Sequence, residues 1–224
     1  MNTAKPMYEW GQIPWRKLEI IVFKLQKRIY RASVRGDVKT VHRLQRLLMK
    51  SRAAKLLATR RVTQDNRGRK TAGIDGVKNL TPKMRLQLAS RLTLPKKAQA
   101  LRRVWIPKPG KTQKRPLGIP TLEDRAMQAL AKLALEPEWE AQFEGHSYGF
   151  RPGRSTHDAV KYLFLSLHKQ DKYVLDADIS KCFDCINHDK LLEKLKTFPL
   201  LRRAVKAWLN AGVMEGDKLF PVES

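Results

Sequence analysis

The stretch that decides the fold is LRRVWIPKPGKTQKRPLGIPT, which spans residues 101–121. Residues 101–106 alternate in a way that favours a β-strand, KPGK at 108–111 is typical of a turn, and residues 115–119 return as a second strand. We therefore predict a β-hairpin. A helix should follow at once, because Thr121 is placed to cap a segment that runs to about Glu140.

Before the hairpin, the pattern is helical. Residues 17–35 carry apolar side chains at helical spacing, and Asp37 can cap a second helix that continues to Leu56. Residues 62–77 read VTQDNRGRKTAGIDGV and predict a long loop, which in a compact protein is usually functional. A short helix should then open at Thr81-Pro82, since proline at the first helical position loses no hydrogen bond.

After the hairpin, helices alternate with short extended segments. Further helices are predicted to begin at Ser155, near Asn187 and at Pro199, and residues 213–220 resemble a second hairpin. Four apolar residues of the Ser155 helix are expected to face inward: Val160, Leu163, Phe164 and Leu167. This mixture of helices and hairpins predicts an α+β fold.

Charge is distributed unevenly along the 224 residues. The formal net charge is +25, and residues 1–120 carry 31 basic and 5 acidic side chains, against 15 and 16 in residues 121–224. Such a surplus favours a nucleic-acid partner. A membrane partner is not expected, because no apolar stretch reaches the ~18 residues needed to span a bilayer. With only two cysteines, the composition favours a folded, soluble protein of a reducing, intracellular compartment.

The segment DADISKCFD, residues 176–184, is the sharpest candidate site. Residues 173–179 are predicted to form a strand that places Asp176 and Asp178 on one face. Carboxylates at a strand end suit Mg²⁺, which takes one or two protein carboxylates together with substrate phosphates. The alternative is that the two side chains only solvate a strand end or cap a turn.

Two basic segments are further candidates. In KPGKTQKRPLGIPT, the side chains of Lys108 and Arg115 suit triphosphate groups, although for this segment taken alone a solvated basic turn is the favoured interpretation. In HSYGFRPGRSTHDA, residues 146–159, Arg151 and Arg154 flank a helix start and suit a phosphate backbone. The alternative there is an ordinary loop leading into a helix. The pair Cys182 and Cys185 has no second pair, which favours plain core or loop cysteines over a zinc site.

Taken in order, these segments resemble a group II intron reverse transcriptase, an intron-encoded maturase. The resemblance rests on RRVWIPKPGK…KRPLGIPTLEDRAMQ, then YGFRPGRSTHDA, then LDADISKCFDCINH, with VTQDNRGRKTAGIDGV upstream. It implies a right-hand polymerase: a basic helical N-terminal extension over 1–60, fingers over 61–170 and the first part of the palm over 171–224.

The resemblance also implies roles for single residues. Asp178 matches the first catalytic aspartate, and the main-chain carbonyl of Ile179 would be a further metal ligand. Phe183 matches the residue below the incoming sugar, while Lys108 and Arg115 match the fingers residues that hold the incoming dNTP. RNA contacts are expected from Arg60, Arg61, Arg67, Arg69, Lys70, Arg151 and Arg154.

As a complete protein, such a polymerase would add dNTPs to the 3′-OH of a DNA primer on an RNA template with two Mg²⁺ ions, and would bind its intron RNA. The family's Gln-Gly and Tyr-Ala-Asp-Asp motifs do not occur in residues 1–224. We therefore expect a fragment that is inactive alone, or one whose C-terminal half is supplied in trans. The alternatives are a non-catalytic RNA-binding splicing module and a reverse transcriptase of a defence or CRISPR-linked system. A bacterial cytoplasm is the expected location, with an organellar origin left open.

Overall fold

The computed structural model describes residues 9–110, 112–180, 182–183 and 185–221. Eight α-helices lie in this part of the chain: α1 (Trp15–Val34), α2 (Val38–Lys50), α3 (Arg52–Arg60), α4 (Pro82–Arg91), α5 (Leu122–Glu140), α6 (Thr156–Leu167), α7 (His188–Leu195) and α8 (Pro199–Leu209). Four strands accompany them: β1 (Leu101–Pro107), β2 (Lys114–Ile119), β3 (Val213–Glu215) and β4 (Lys218–Phe220). The predicted α+β class is confirmed. None of the described helices is long and apolar enough to cross a bilayer.

The main core lies among α1, α2, α3, α5 and α8. Ile29, Leu48, Ala54, Ala134 and Leu201 have no exposed surface, and they belong to one cluster of buried apolar residues. Burying each of the larger side chains contributes roughly 1.5–3 kcal/mol. This single cluster contains residues from all three ranges predicted from the sequence, 1–60, 61–170 and 171–224. The helices that contribute to it therefore pack together across the predicted domain boundaries.

Polar side chains begin most of the helices, as the sequence predicted. Asp37 accepts a hydrogen bond from the amide of Thr40 at 3.0 Å, and Thr121 accepts one from the amide of Asp124 at 3.1 Å. One expectation is wrong: the second helix does not continue to Leu56. Ser51 has an extended backbone, with ψ of 128°, and it separates α2 from α3. The hydroxyl of Ser51 makes no capping hydrogen bond to α3; its amide instead closes α2 by donating to the carbonyls of Leu47 and Leu48, at 3.1 and 3.0 Å.

The four strands form one sheet with the order β2-β1-β3-β4. β1 and β2 pair antiparallel, with Pro107 opposite Lys114, which confirms the first hairpin. β3 and β4 form the second hairpin, also as predicted. What the sequence did not indicate is that β3 pairs with β1 in parallel, with Leu101 opposite Val213. The indole N–H of Trp105 donates to Glu215 at 2.6 Å and adds a side-chain contact across this junction.

Two expectations after α5 are wrong. Residues 173–179 do not form a strand, and Tyr173, Leu175 and Ile179 are largely exposed. The apolar side chains of α6 point outward instead of inward, with Val160 and Phe164 each more than 60% exposed. The reason is the same for both segments: alternation and helical spacing create an apolar face, but no described element packs on either face.

The segment 62–77 is more ordered than a loop. A π-helical turn covers Arg61–Asp65 and a 3₁₀ turn covers Arg67–Lys70, so the irregular part is confined to residues 71–81. The helical part starts where α3 ends. Thr63 supports the junction, because its hydroxyl donates to the Thr59 carbonyl at 2.8 Å.

Candidate nucleic-acid interface and nucleotide site

The residues 61–73, which we call the basic loop, are held against α5 by one arginine. Nη1 of Arg125 donates to the carbonyl of Gly68 at 2.8 Å, and Nη2 donates to the carbonyl of Thr71 at 2.6 Å. Burial lowers the pKa of this guanidinium, which nevertheless remains charged at neutral pH. A fixed fork of donors that binds two carbonyls three residues apart defines the shape of the turn.

Further contacts fasten both ends of the basic loop. At its C-terminal end, Arg102 of β1 donates to the carbonyl of Ala72 at 2.9 Å. Gly73 lies so close to α5 that a Cβ atom there would be 2.7 Å from the backbone of Thr121. At the other end, the Gln64 side chain accepts from the Trp10 indole at 2.8 Å. The basic loop is therefore tied to α5 and β1 through its backbone, and to Trp10 through the side chain of Gln64.

While its backbone is fixed, the basic loop exposes four cations predicted to bind RNA: Arg61, Arg67, Arg69 and Lys70. Of these, Arg69 also donates to the Gln64 carbonyl. Arg60 is different, because it is only partly exposed, lies 3.4 Å from the Asp65 carboxylate and stacks 4.8 Å from the Trp15 ring. A cluster of fixed cations of this kind suits a phosphate backbone.

The first hairpin carries the two residues predicted to hold a triphosphate. Arg115 lies in β2 opposite Ile106, and the amide of Lys108 donates to the Gln113 carbonyl at 3.0 Å in the turn. Both side chains are exposed at the same end of the hairpin. Lys111, a further cation of this motif, lies outside the described residues.

In the 146–155 loop, Arg151 organises the loop itself. Its guanidinium makes a bidentate contact with Glu140, at 2.7 and 3.0 Å, and also donates to the Ser147 carbonyl at 2.7 Å. This contact holds the pKa of the Glu140 carboxyl below its usual range. Arg154 is exposed and lies 5.7 Å from the Tyr148 ring. Of the two arginines, Arg154 is thus the one that solvent and a ligand can reach.

The residues predicted for catalysis lie in an irregular, exposed segment. Asp178 and Ile179 are exposed, and Phe183 is 82% exposed. Within the described ranges, no three His, Cys, Asp or Glu side chains come together as a metal cluster. The carboxylate of Asp178 and the Ile179 carbonyl are nevertheless the hard oxygen donors that Mg²⁺ prefers, and Mg²⁺ needs few protein ligands when phosphates complete its shell. These donors fit the ion by chemical type.

Sequence reasoning missed Arg125 and Arg102, because charged residues were assigned to the surface. A signal was present for Arg125. It follows Leu122 by three residues and precedes Ala126, so it falls on the stripe of α5 that the apolar pattern assigned to the interior. A charge on a buried stripe indicates a partner inside the protein.

The described surface carries two groups of exposed cations, in the clamped basic loop and in the first hairpin, and both suit a polyanion. Comparison with known proteins gives the class. The N-terminal domain of reverse transcriptase matches residues 10–92, and the family of reverse transcriptases (RNA-dependent DNA polymerases) matches residues 106–223. The chain belongs to the reverse transcriptase family.

Its relatives include intron-encoded proteins and maturases. Protein YkfC of Escherichia coli K12 is 33% identical over 187 residues, which cover 79% of this chain and 48% of YkfC. Maturase-like protein 1 of Euglena gracilis is 32% identical over 81% of this chain and 41% of its own length. The group II intron-encoded protein LtrA of Lactococcus lactis is 36% identical over 52% of this chain and 20% of LtrA. The chain thus spans less than half the length of these relatives.

Proposed function

We propose that this chain supplies the RNA-binding and nucleotide-holding part of a group II intron-type reverse transcriptase and maturase. The observation that carries the proposal is the family match over residues 106–223, which includes Lys108, Arg115 and the Asp178 segment. Relatives described as intron-encoded and as maturases support the intron type. The clamped basic loop supports an RNA substrate, since fixed cations bind a phosphate backbone.

In the proposed reaction, the 3′-OH of a DNA primer attacks the α-phosphate of a dNTP, and pyrophosphate leaves. Lys108 supplies a point charge and Arg115 a two-pronged donor for the triphosphate. Asp178 and the carbonyl of Ile179 would hold Mg²⁺, and the ion would supply positive charge to offset the charge that develops on the phosphate oxygens. Phe183 lies beneath the incoming sugar and excludes a 2′-OH by its bulk.

A second role, binding and stabilising folded intron RNA, is favoured by the charge distribution. Residues 1–120 carry all of the surplus positive charge, and this role requires no metal. Affinity for structured RNA should fall steeply with salt, because each neutralised phosphate releases counterions. Weak, salt-independent binding would contradict an RNA-binding role.

Primer extension on an RNA template tests the catalytic role. The chain is joined to a C-terminal part that carries a Tyr-Ala-Asp-Asp motif, and Asp178→Asn is compared with Asp171→Asn, an exposed carboxylate in the same segment. We expect Asp178→Asn to reduce extension by about a hundredfold or more and Asp171→Asn to have little effect, because only the former loses a metal ligand. Full activity of Asp178→Asn would show that the assignment is wrong.

A further inference from the structure

A pocket of about 270 Å³ lies between α2, α3, α5 and the start of α8, and none of its lining residues belongs to the basic loop or the first hairpin. Its interior is apolar. Leu92 and Leu130 are buried, Leu94 is partly exposed, and Leu200 is exposed at the edge of the pocket. Three cations complete the wall, namely Arg46, Lys50 and Lys55, and no acidic side chain lines the pocket. Neither the sequence motifs nor the proposed reaction uses this pocket.

The size and chemistry of the pocket restrict its ligand. Its volume is close to the roughly 300 Å³ at which small-molecule sites begin, which leaves room for a single ring system. Apolar walls suit the face of a nucleobase, and cations beside them suit the phosphates attached to it. One wall is Phe198, whose ring already lies 5.2 Å from the Arg46 guanidinium.

A row of cations leads to the pocket along α2. Lys39, Arg43, Arg46 and Lys50 are all exposed. Their spacing of three or four residues places them on one face of the helix, over about 16 Å at 1.5 Å per residue. Phosphates of a bound strand can follow this row while one nucleotide turns aside. An acidic peptide could neutralise the cations too, but the row and the small pocket together match a strand with one ring turned out.

We propose that this pocket binds a single unpaired nucleotide of an RNA, with its base against Leu94 and Leu200 and its phosphates on Arg46 and Lys50. The proposal rests on the proposed function, since it adds a place where the bound RNA is held. The pocket would let the protein distinguish RNA with a bulged or flipped nucleotide from a continuous duplex. This recognition needs neither Mg²⁺ nor dNTP.

Two RNA hairpins that differ by one bulged 2-aminopurine test the proposal with the full chain. We expect the bulged hairpin to bind about tenfold more tightly, and its fluorescence to change on binding, because the bulged base leaves water for an apolar pocket. Leu200→Trp fills the pocket without changing charge, and Leu200 is 47% exposed, so the fold should tolerate the larger ring. This variant should lose the preference and keep its affinity for the continuous hairpin.

A charge variant provides a second, independent measurement. Arg46→Ala/Lys50→Ala should lower the affinity for the bulged hairpin more than for the continuous one. The matched control is Arg16→Ala/Arg28→Ala on α1, which removes the same charge from exposed positions that do not line the pocket. The control should keep the preference for the bulge.

Three outcomes would overturn the proposal. They are equal binding of both hairpins by the unmodified chain, an undiminished preference in a folded Leu200→Trp variant, and binding of an acidic leucine-rich peptide at the pocket with no response to the bulge. Salt-dependent binding of the continuous hairpin by the chain, and primer extension by the joined polymerase, would remain in each of these cases if the proposed function holds. Failure of the pocket is therefore distinguishable from failure of the function.

Discussion

Arg125→Ala should release the basic loop without unfolding the helices. The substitution removes two charged hydrogen bonds to the carbonyls of Gly68 and Thr71. Each such bond is worth about 1.5–3 kcal/mol, but the freed carbonyls regain water when the loop opens, so we take a total of about 2 kcal/mol. That value corresponds to roughly a thirtyfold increase in the population of the open loop.

Amide hydrogen exchange measures this opening directly. The reporters are the amides of Thr71 and Asn79, which donate to the carbonyls of Gly68 and Arg69. Exchange at both should accelerate about thirtyfold in Arg125→Ala, while amides in α1 and α2 remain protected. Arg125→Lys should give an intermediate rate, because a single ammonium cannot bind both carbonyls with the geometry of the fork.

Arg91→Ala serves as the matched control. Arg91 pairs at 2.9 Å with Glu123, which lies in the first turn of α5, but both side chains are more than 40% exposed. Such surface pairs contribute about 0–1 kcal/mol, so exchange in the basic loop should change little. Unchanged exchange at Thr71 and Asn79 in a folded Arg125→Ala variant would refute the clamp.

Three other measurements follow from the structure. Gly73→Ala should lower the free energy of unfolding by about 1–3 kcal/mol in denaturant titrations, since its Cβ meets the backbone of Thr121 at 2.7 Å, whereas Gly11→Ala, in open space, should not. Burial raises the pKa of Glu138, so the folded state binds its proton more tightly, and the stability contributed by this group falls as pH rises through that raised pKa. Glu138→Gln should therefore raise the melting temperature relative to the unmodified chain at about pH 7.5, and raise it less near pH 4. The same difference in melting temperature between the two proteins at both pH values would contradict this. Arg115→Lys should weaken dNTP binding in the joined polymerase, measured as a higher KM, because a lysine cannot bind the phosphate in a bidentate manner; an unchanged KM would remove Arg115 from the triphosphate site.

Local rules predicted the helix starts and both hairpins well. Asp37, Thr121 and Ser155 cap their helices as expected, because capping depends on neighbours three residues away in the chain. Residues 173–179 show where such rules stop. A strand is stable only when another strand supplies its hydrogen bonds, and an alternating pattern does not contain that partner.

The sequence indicated the exposed cations of the candidate site but not the arginines that hold its loops in place. The exposed cations of the basic loop and the hairpin lie where the motifs indicated, since a motif fixes residues that are close in sequence. Arg125 and Arg151 instead bind backbone carbonyls or a carboxylate of their own chain. Whether an arginine faces a ligand or the protein depends on which acceptors the fold brings within reach. The residue type at one position of the sequence does not contain this information.

The parallel pairing of β1 with β3 has a consequence for how the molecule is made. Leu101 cannot meet Val213 until the ribosome has synthesised the chain beyond β3. Contacts between residues so distant in sequence form late, because the intervening chain must first lose its freedom. We expect the N-terminal helices to assemble early during translation and the first hairpin to wait with one edge unpaired. In that interval the open edge of β1 can pair with another nascent chain.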